Sequence, residues 1–417
     1  MSIDRVDLRM PDNIGEGVLK NHAAIKTPWE KLISYYDAYE YGCRHMAGIA
    51  ATFFETIRIF LPDYAERMEE LCKTNKMMMK MGFNGGFEGG FAAVHARNNN
   101  IHPFMEGGFI SSLYGDSGDE RLLMNGRVND FGTYRAEKEL DTCPWDILGS
   151  EICRISPCGQ QGIGECYAGP KVEFNMPEAR GCGDPQCRLI CENREKYPMP
   201  EREIIWETFG PLATMDQIKV TPEEKRYGKH ESQYFRKATN FMCRNGLSAE
   251  FNHMVGWEGG PYSNFAADYV TYTYQMMMRD GKLTQEEIDN VIECVFEACG
   301  KMMFLDCYAV KGLRDYLGVP NDIADGRVLG AYIELLLQIA RTEYKIIAFN
   351  KDEVIYDIDR VRFMRRSPML IKAYNALFYG MCKTLVSPEW FCWEETEGVE
   401  EGRWRIKIAR KIDKYCR

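Results

Sequence analysis

Two segments of this chain carry the same pattern. QCRLICENR, residues 186–194, lies over RWRIKIARK, residues 403–411, at an offset of about 217. The same offset sets Phe174 on Phe391, Glu178 on Glu395 and Arg188 on Arg405. Around each copy the order of patterns repeats: helical spacing, a period-two strand pair, a helix, a closing hairpin. Such an order predicts an α+β chain of two tandem similar domains, each a helical layer packed on a small antiparallel sheet. The expected boundaries are 1–195 for a thiol-bearing domain, 196–262 for a linker rich in charge, Pro and Gly, and 263–417 for a degenerate repeat.

Local signals fill in this frame. Thr27-Pro28-Trp29-Glu30 reads as a capped helix start, with helix to about Leu61 and a break near Gly42. More helix is expected from Tyr64 to Lys80. The Gly-Gly pairs between Gly85 and Gly108 read as a long loop, either a lid or a plain connection. Two strands turn at Asn129–Gly132, a helix runs from about Trp145 to Tyr167, and residues 171–193 form a hairpin. In the second half helices are expected over about 264–279, after a Thr284/Glu287 capping box, over 326–341, and from Ser367-Pro368 onward. Strands are expected at IIAF, VIYDID and a final pair near Trp390 and Arg403.

The thiols distinguish the two halves. Seven of the sixteen cysteines fall between Cys143 and Cys191. On the offset alignment Cys187 meets Trp404, Cys143 meets about Val361 and Cys153 about Leu370. The second half thus keeps the scaffold without these thiols. In a strand, Cys187 and Cys191 share a face and stand roughly 13 Å apart at ~3.3 Å per residue. A zinc ion holds each sulfur at about 2.3 Å, so these two cannot share one. Pro144 at a first helical position makes Cys143 an N-cap residue, where a helix dipole favours thiolate; a small buried hydrophobe is the competing reading. Cys153 and Cys158 point about 140° apart on one helix, at ~100° per residue. Cys187 is expected to face a pocket with Cys143 and Cys153, whereas Cys182 and Cys191 read as turn and packing residues. Thiols converging from separate elements keep a zinc or iron site open through Cys143, Cys153 and Cys187; no cofactor is otherwise expected.

Six histidines form no HxxxH or HExxH pattern. His95 and His102 flank the Gly-rich loop and are candidate substrate-binding groups, with core packing as the alternative for each. Arg154, Arg188 and Arg180 are candidates to receive a substrate carboxylate, with surface solvation as the alternative. The net charge of −10 without a basic block argues against nucleic acid. No apolar run long enough to span a bilayer and no export-type leader are read, so a cytoplasmic protein with reduced thiols and no membrane partner is expected. A homo-oligomer remains open.

The pieces KELDTCPWD, SEICRIS, GPKVEFNMPEAR and GDPQCR together resemble the L-2-amino-thiazoline-4-carboxylate hydrolase-like family. The resemblance rests on Cys143-Pro144, Cys153 and Gly183-Asp184-Pro185-Gln186-Cys187, and the closing hairpin is also similar to the 4-vinyl-reductase-like small-molecule-binding domain. It covers residues 30–195, and 264–410 as scaffold only. Ser156 departs from the pattern, the family often having Asp there. The resemblance implies a hydrolase opening a C–N bond of a small cyclic amidine or thiazoline. Cys143, Cys153, Cys187 and Asp146 are its candidate catalytic residues. Glu165 is a substrate-side group or, like Asp146, a carboxylate activating water. The alternatives are a non-catalytic small-molecule binder and a metal-dependent redox or lyase enzyme using the thiols as ligands.

Overall fold

The computed structural model describes residues 24–85, 126–131, 135–140, 150–168, 172–193, 265–302, 307–339, 342–359 and 368–411. Two compact units divide them. The C-terminal unit holds the described residues of Val18–Thr56 and Glu258–Arg417, and the N-terminal unit those of Ile57–Trp257. Helices and small antiparallel sheets make both units α+β. None of the described helices is long and apolar enough to cross a membrane.

The first described element corrects the expected helix start. β1 (Ala24–Lys26) and β2 (Leu32–Ser34) pair as a hairpin with Ile25 opposite Ile33. Thr27 sits in its turn, giving its N–H to the Lys31 carbonyl at 2.9 Å and accepting the Trp29 N–H on its hydroxyl at 3.4 Å. Burying Ile25 and Ile33 outweighs the local capping signal. Helix α1 (Tyr35–Phe60) then runs through Gly42 without the expected break.

The N-terminal unit continues with α2 (Tyr64–Gly85), β3 (Gly126–Phe131), β4 (Arg135–Leu140), α3 (Ser150–Ala168), β5 (Val172–Glu178) and β6 (Cys187–Asn193). Asn129 lies within β3 at a bulge between Val128 and Asp130, so the reversal falls after Phe131 and not at Asn129. The sheet order is β3-β4-β6-β5. Helices α2 and α3 are joined by a buried ion pair, Arg67 to Glu151 at 2.7 Å, and Arg67 also closes the start of α2 by donating to the Leu61 carbonyl.

The C-terminal unit adds α4 (Phe265–Arg279), α5 (Gln285–Met302), α6 (Cys307–Leu317), α7 (Arg327–Ile339), β7 (Tyr344–Phe349), β8 (Glu353–Asp359), α8 (Pro368–Met381), β9 (Trp390–Glu395) and β10 (Arg403–Arg410). Helix α6 is not anticipated by the sequence reading. The Thr284 capping box forms as expected: Glu287 accepts the Thr284 N–H at 2.8 Å and returns its own N–H to the hydroxyl.

This second sheet has the order β7-β8-β10-β9, the arrangement of the first. Its registers match as well. Val172 opposite Asn193 corresponds to Trp390 opposite Arg410, Leu140 opposite Cys187 to Ile358 opposite Trp404, and Glu178 opposite Arg188 to Glu395 opposite Arg405. The first hairpins even share a bulge, at Val128/Asp130 and Ile346/Ala348. A second bulge, between Asn175 and Glu178, has no counterpart in β9. Before it the matching position lies one residue beyond the offset read from sequence. Phe174 therefore answers to Cys392 and not Phe391, and Cys153 to Ile371, whereas the Glu178, Cys187 and Arg188 matches hold.

Helices α5 and α8 cross backbone to backbone at Gly300 and Gly380. A Cβ on Gly380 would run into the Glu297 carbonyl, and one on Gly300 into that of Leu377. Gly380→Ala is expected to pry the helices apart at a cost of about 1–3 kcal/mol, read as a lower melting temperature.

In the same unit His45 is enclosed by aromatic rings, bonded through Nδ1 to the Tyr332 hydroxyl and stacked on Tyr374 at 6.4 Å. Burial pulls its pKa down to about 3. The folded value lies below the ~6.5 of an unfolded histidine. The neutral form's stabilisation is therefore complete above that value and is lost as pH falls toward 3, by about 1.4 kcal/mol per unit. Acid unfolding followed by near-ultraviolet circular dichroism should steepen below pH ~6.5, and His45→Phe should remove that limb.

Candidate functional site

The site indicated by the sequence lies in the N-terminal unit, where α3 packs on β5 and on the turn between β5 and β6. Strand β6 alternates as expected, so Cys187 and Leu189 share one face and Arg188 and Ile190 the other. Phe174, Cys187 and Leu189 are buried on the first face, and Ile152, Cys153 and Ile155 are buried on α3.

Gly183-Asp184-Pro185-Gln186-Cys187 builds the turn itself. Gly183 has φ of 99°, a conformation a side chain would strain. The Asp184 carboxylate accepts the Ala179 N–H at 2.8 Å, and the Cys187 sulfur accepts the Arg180 N–H at 3.3 Å. The motif thus pins the end of β5 to the start of β6 and holds Cys187 in one orientation. Cys182 is a half-buried residue of this turn, which agrees with its expected role.

The corresponding interface of the other sheet is filled with aromatics. There Trp404 stacks with Phe378 at 6.3 Å and meets Tyr374 edge-on at 6.4 Å, and all three are essentially inaccessible. The strands flanking α3 and α8 keep the same register, and the helices start at matching positions, Ser150 and Pro368. Counting along them, Ser156 stands where Tyr374 stands, Gln160 where Phe378 stands, and Cys187 where Trp404 stands. Three aromatic side chains, each burying ~150–250 Å² in such a core, thus stand at positions that carry Ser156, Gln160 and Cys187 in the N-terminal unit. Ser156 is partly accessible, unlike Tyr374. Cys153 lies on the same helix one turn before Pro157.

The remaining candidates separate. Arg188 is on the far face of the sheet from Cys187, held by a bidentate bond to Glu137 at 2.7 and 2.8 Å. Arg154 is buried on the α2 side of α3, where its backbone carbonyl lies 3.9 and 3.7 Å from the sulfurs of Cys72 and Cys158. Glu165 lies on α3, with its side chain outside the described set. Cys143, Asp146, His95 and His102 lie outside the described residues. Among the described residues no group of three His, Cys, Asp or Glu side chains is placed to hold a metal.

The sequence reading missed Cys72. It sits on α2 in hydrogen-bond contact with Cys158 on α3. Donating that bond raises the Cys72 pKa well above the usual thiol value, and burial adds to the rise. Accepting it lowers that of Cys158, helped by the Lys76 ammonium. Only the helix pairing brings these residues together, and no spacing rule signals it.

An open cleft of about 590 Å³ lies in the C-terminal unit along α8, lined by Glu293, Lys372, Asn375, Tyr379 and Glu394 among others. Its polar groups are largely engaged with one another: Lys372 with Asp289 and Glu293, and Asn375 with Glu394 and the Trp404 indole.

No family model, no curated protein and no solved structure matches the chain.

Alkylation of the native protein near neutral pH should modify Cys158 before Cys72, because the thiolate is the reactive form. Peptide mass spectrometry after limited iodoacetamide treatment reads the order, and Lys76→Met should slow Cys158.

Proposed function

We propose that the N-terminal unit binds a small organic molecule between α3 and its sheet, in the space that Tyr374, Phe378 and Trp404 fill in the C-terminal unit. The observation that carries this reading is the exchange of that packed trio for Ser156, Gln160 and Cys187 on the same framework. Proteins pack their cores densely, so three simultaneous losses of bulk mark a place left for something else. The shared strand order, registers and first-hairpin bulge support an internal duplication in which one copy keeps a ligand site and the other a solid core. Free thiols and a lack of basic blocks fit a cytoplasmic protein acting on a small metabolite.

The chemistry follows from the resemblance to the thiazoline-carboxylate hydrolase-like family. A cyclic amidine or thiazoline carbon adds a thiolate, with Cys143 or Cys153 as donor. The ring C–N bond then breaks as its nitrogen takes a proton, and water releases the product from sulfur. Water activated by Asp146 or Glu165 reaches the same products without the covalent step. Cys187, committed to the Arg180 N–H, acts as a wall of the pocket.

The test is a panel of cyclic amidines and 2-aminothiazolines offered to the full chain, scored for binding and for ring opening. Cys187→Trp restores the bulk of the other copy and is expected to reduce binding at least about tenfold, the equivalent of ~1.4 kcal/mol. Cys143→Ser and Cys153→Ser are expected to keep binding, and one of them to abolish turnover. Unchanged binding in Cys187→Trp would refute the location. Full turnover in both serine variants would refute the thiolate.

A further inference from the structure

Two thiols meet where α2 packs on α3. The sulfurs of Cys72 and Cys158 flank one oxygen, the Arg154 carbonyl, at 3.9 and 3.7 Å, and the two thiols are in hydrogen-bond contact with each other. The buried Arg67–Glu151 ion pair holds the same two helices together. Cys158 is about 160° around α3 from Ser156, at ~100° per residue, so the pair lies away from the sheet side of the helix. Both cysteines are half-buried, which leaves them open to a small solute.

Packing is the ordinary reason for a cysteine inside a fold, and the C-terminal unit supplies that case. Cys382 and Cys392 are buried there, and burial pushes the first up to about 12 and the second well above the usual thiol range. Thiols so raised stay protonated and inert near neutral pH. Cys158 moves the other way. The hydrogen bond from Cys72 lowers its pKa against the effect of burial, and the Lys76 ammonium adds to the fall. Cys72 is raised by that bond and by burial, against the Arg154 guanidinium, and keeps its proton. A nucleophilic sulfur thus touches a protonated thiol, the combination in which an oxidised cysteine is resolved by its neighbour.

We propose that Cys72 and Cys158 form a hydroperoxide-sensitive pair that closes into a disulfide between α2 and α3. The Cys158 sulfur attacks one oxygen of hydrogen peroxide or of an organic hydroperoxide. The O–O bond breaks, Cys158 becomes a sulfenic acid, and the other oxygen leaves and takes a proton as water or an alcohol. The Cys72 sulfur then attacks the Cys158 sulfur. The S–O bond breaks, and hydroxide leaves with the Cys72 proton as water. The two thiols lose two electrons, and one hydroperoxide gains them. Thiol–disulfide exchange with two equivalents of a small thiol restores the pair.

The local structure accommodates the new bond. Sulfurs already in contact must close to ~2.05 Å. Pro157, next to Cys158, has no N–H, so α3 lacks one rung of its own ladder at that point and yields there more readily than an unbroken helix. The bridge closes a long loop from α2 to α3, which restricts the unfolded chain and raises the melting temperature of the oxidised protein. The pair stands or falls independently of the ligand site on the other side of α3.

The test treats the reduced full chain with a small excess of hydrogen peroxide, blocks the remaining thiols with iodoacetamide in denaturant, and maps the peptides by mass spectrometry. The expected product is a peptide pair joined through Cys72 and Cys158, with Cys382 and Cys392 still alkylated. The melting temperature should rise, and dithiothreitol should reverse both changes. Cys72→Ser should stop at a sulfenic acid on Cys158, trapped by dimedone. Lys76→Met should slow the oxidation about threefold, the thiolate lost with half a unit of pKa. If the pair only packs, both cysteines stay alkylated while other thiols oxidise, and that result would overturn the proposal. A disulfide from either residue to a third cysteine would overturn it too, as would Cys158 carried on to sulfinic acid while Cys72 stays free.

Discussion

Alternation along one strand controls the N-terminal unit. Because β6 is paired on both sides, by β4 and by β5, it cannot slip or turn without losing both ladders. That constraint sends Cys187 and Arg188, neighbours in sequence, to opposite faces of the sheet. On one side the sheet meets α3 with Cys187, Leu189 and Phe174, all buried. On the other it carries a bidentate Arg188–Glu137 pair among buried acids. The turn before β6 fixes the phase of this alternation through Gly183, Asp184 and the sulfur of Cys187 itself. A motif that reads as catalytic in sequence thus has a structural task that comes first.

The two units show how one framework accommodates different interiors. Both sheets have the same order and the same acid–Arg–acid row, and both set a helix against the closing hairpin. In the C-terminal unit that helix is clamped by the Gly300–Gly380 crossing and its sheet side is sealed by Tyr374, Phe378 and Trp404. In the N-terminal unit the helix pair is tied at one end by Arg67 and Glu151, and the aromatic seal is gone.

Much of the fold was legible because its signals are local. The Thr284–Glu287 box, the helix beginning at Pro368 and the period-two strands all form where their residues place them. Thr27-Pro28-Trp29-Glu30 misleads because a hairpin buries Ile25 and Ile33 and uses the Thr27 hydroxyl for a turn. The one-residue error at Phe174 comes from the bulge after Asn175, which no composition rule announces. The candidate site was legible in part. Cys187 on the helix side of a strand followed from alternation, and its match with Trp404 from the offset alignment. The Cys72–Cys158 contact and the buried acids were not, since both depend on which elements cover which faces. Polar residues alternating in a strand ordinarily imply solvent, and here they imply the opposite.

The most direct test is a crystal structure of the full chain at a resolution that defines side chains and solvent, read at the volume between α3 and β6. The expected result is a cavity or bound molecule bordered by Cys153, Ser156 and Cys187, beside a fully packed Tyr374–Phe378–Trp404 interface in the other unit. Protein side chains filling that volume to ordinary core density would contradict a ligand site there.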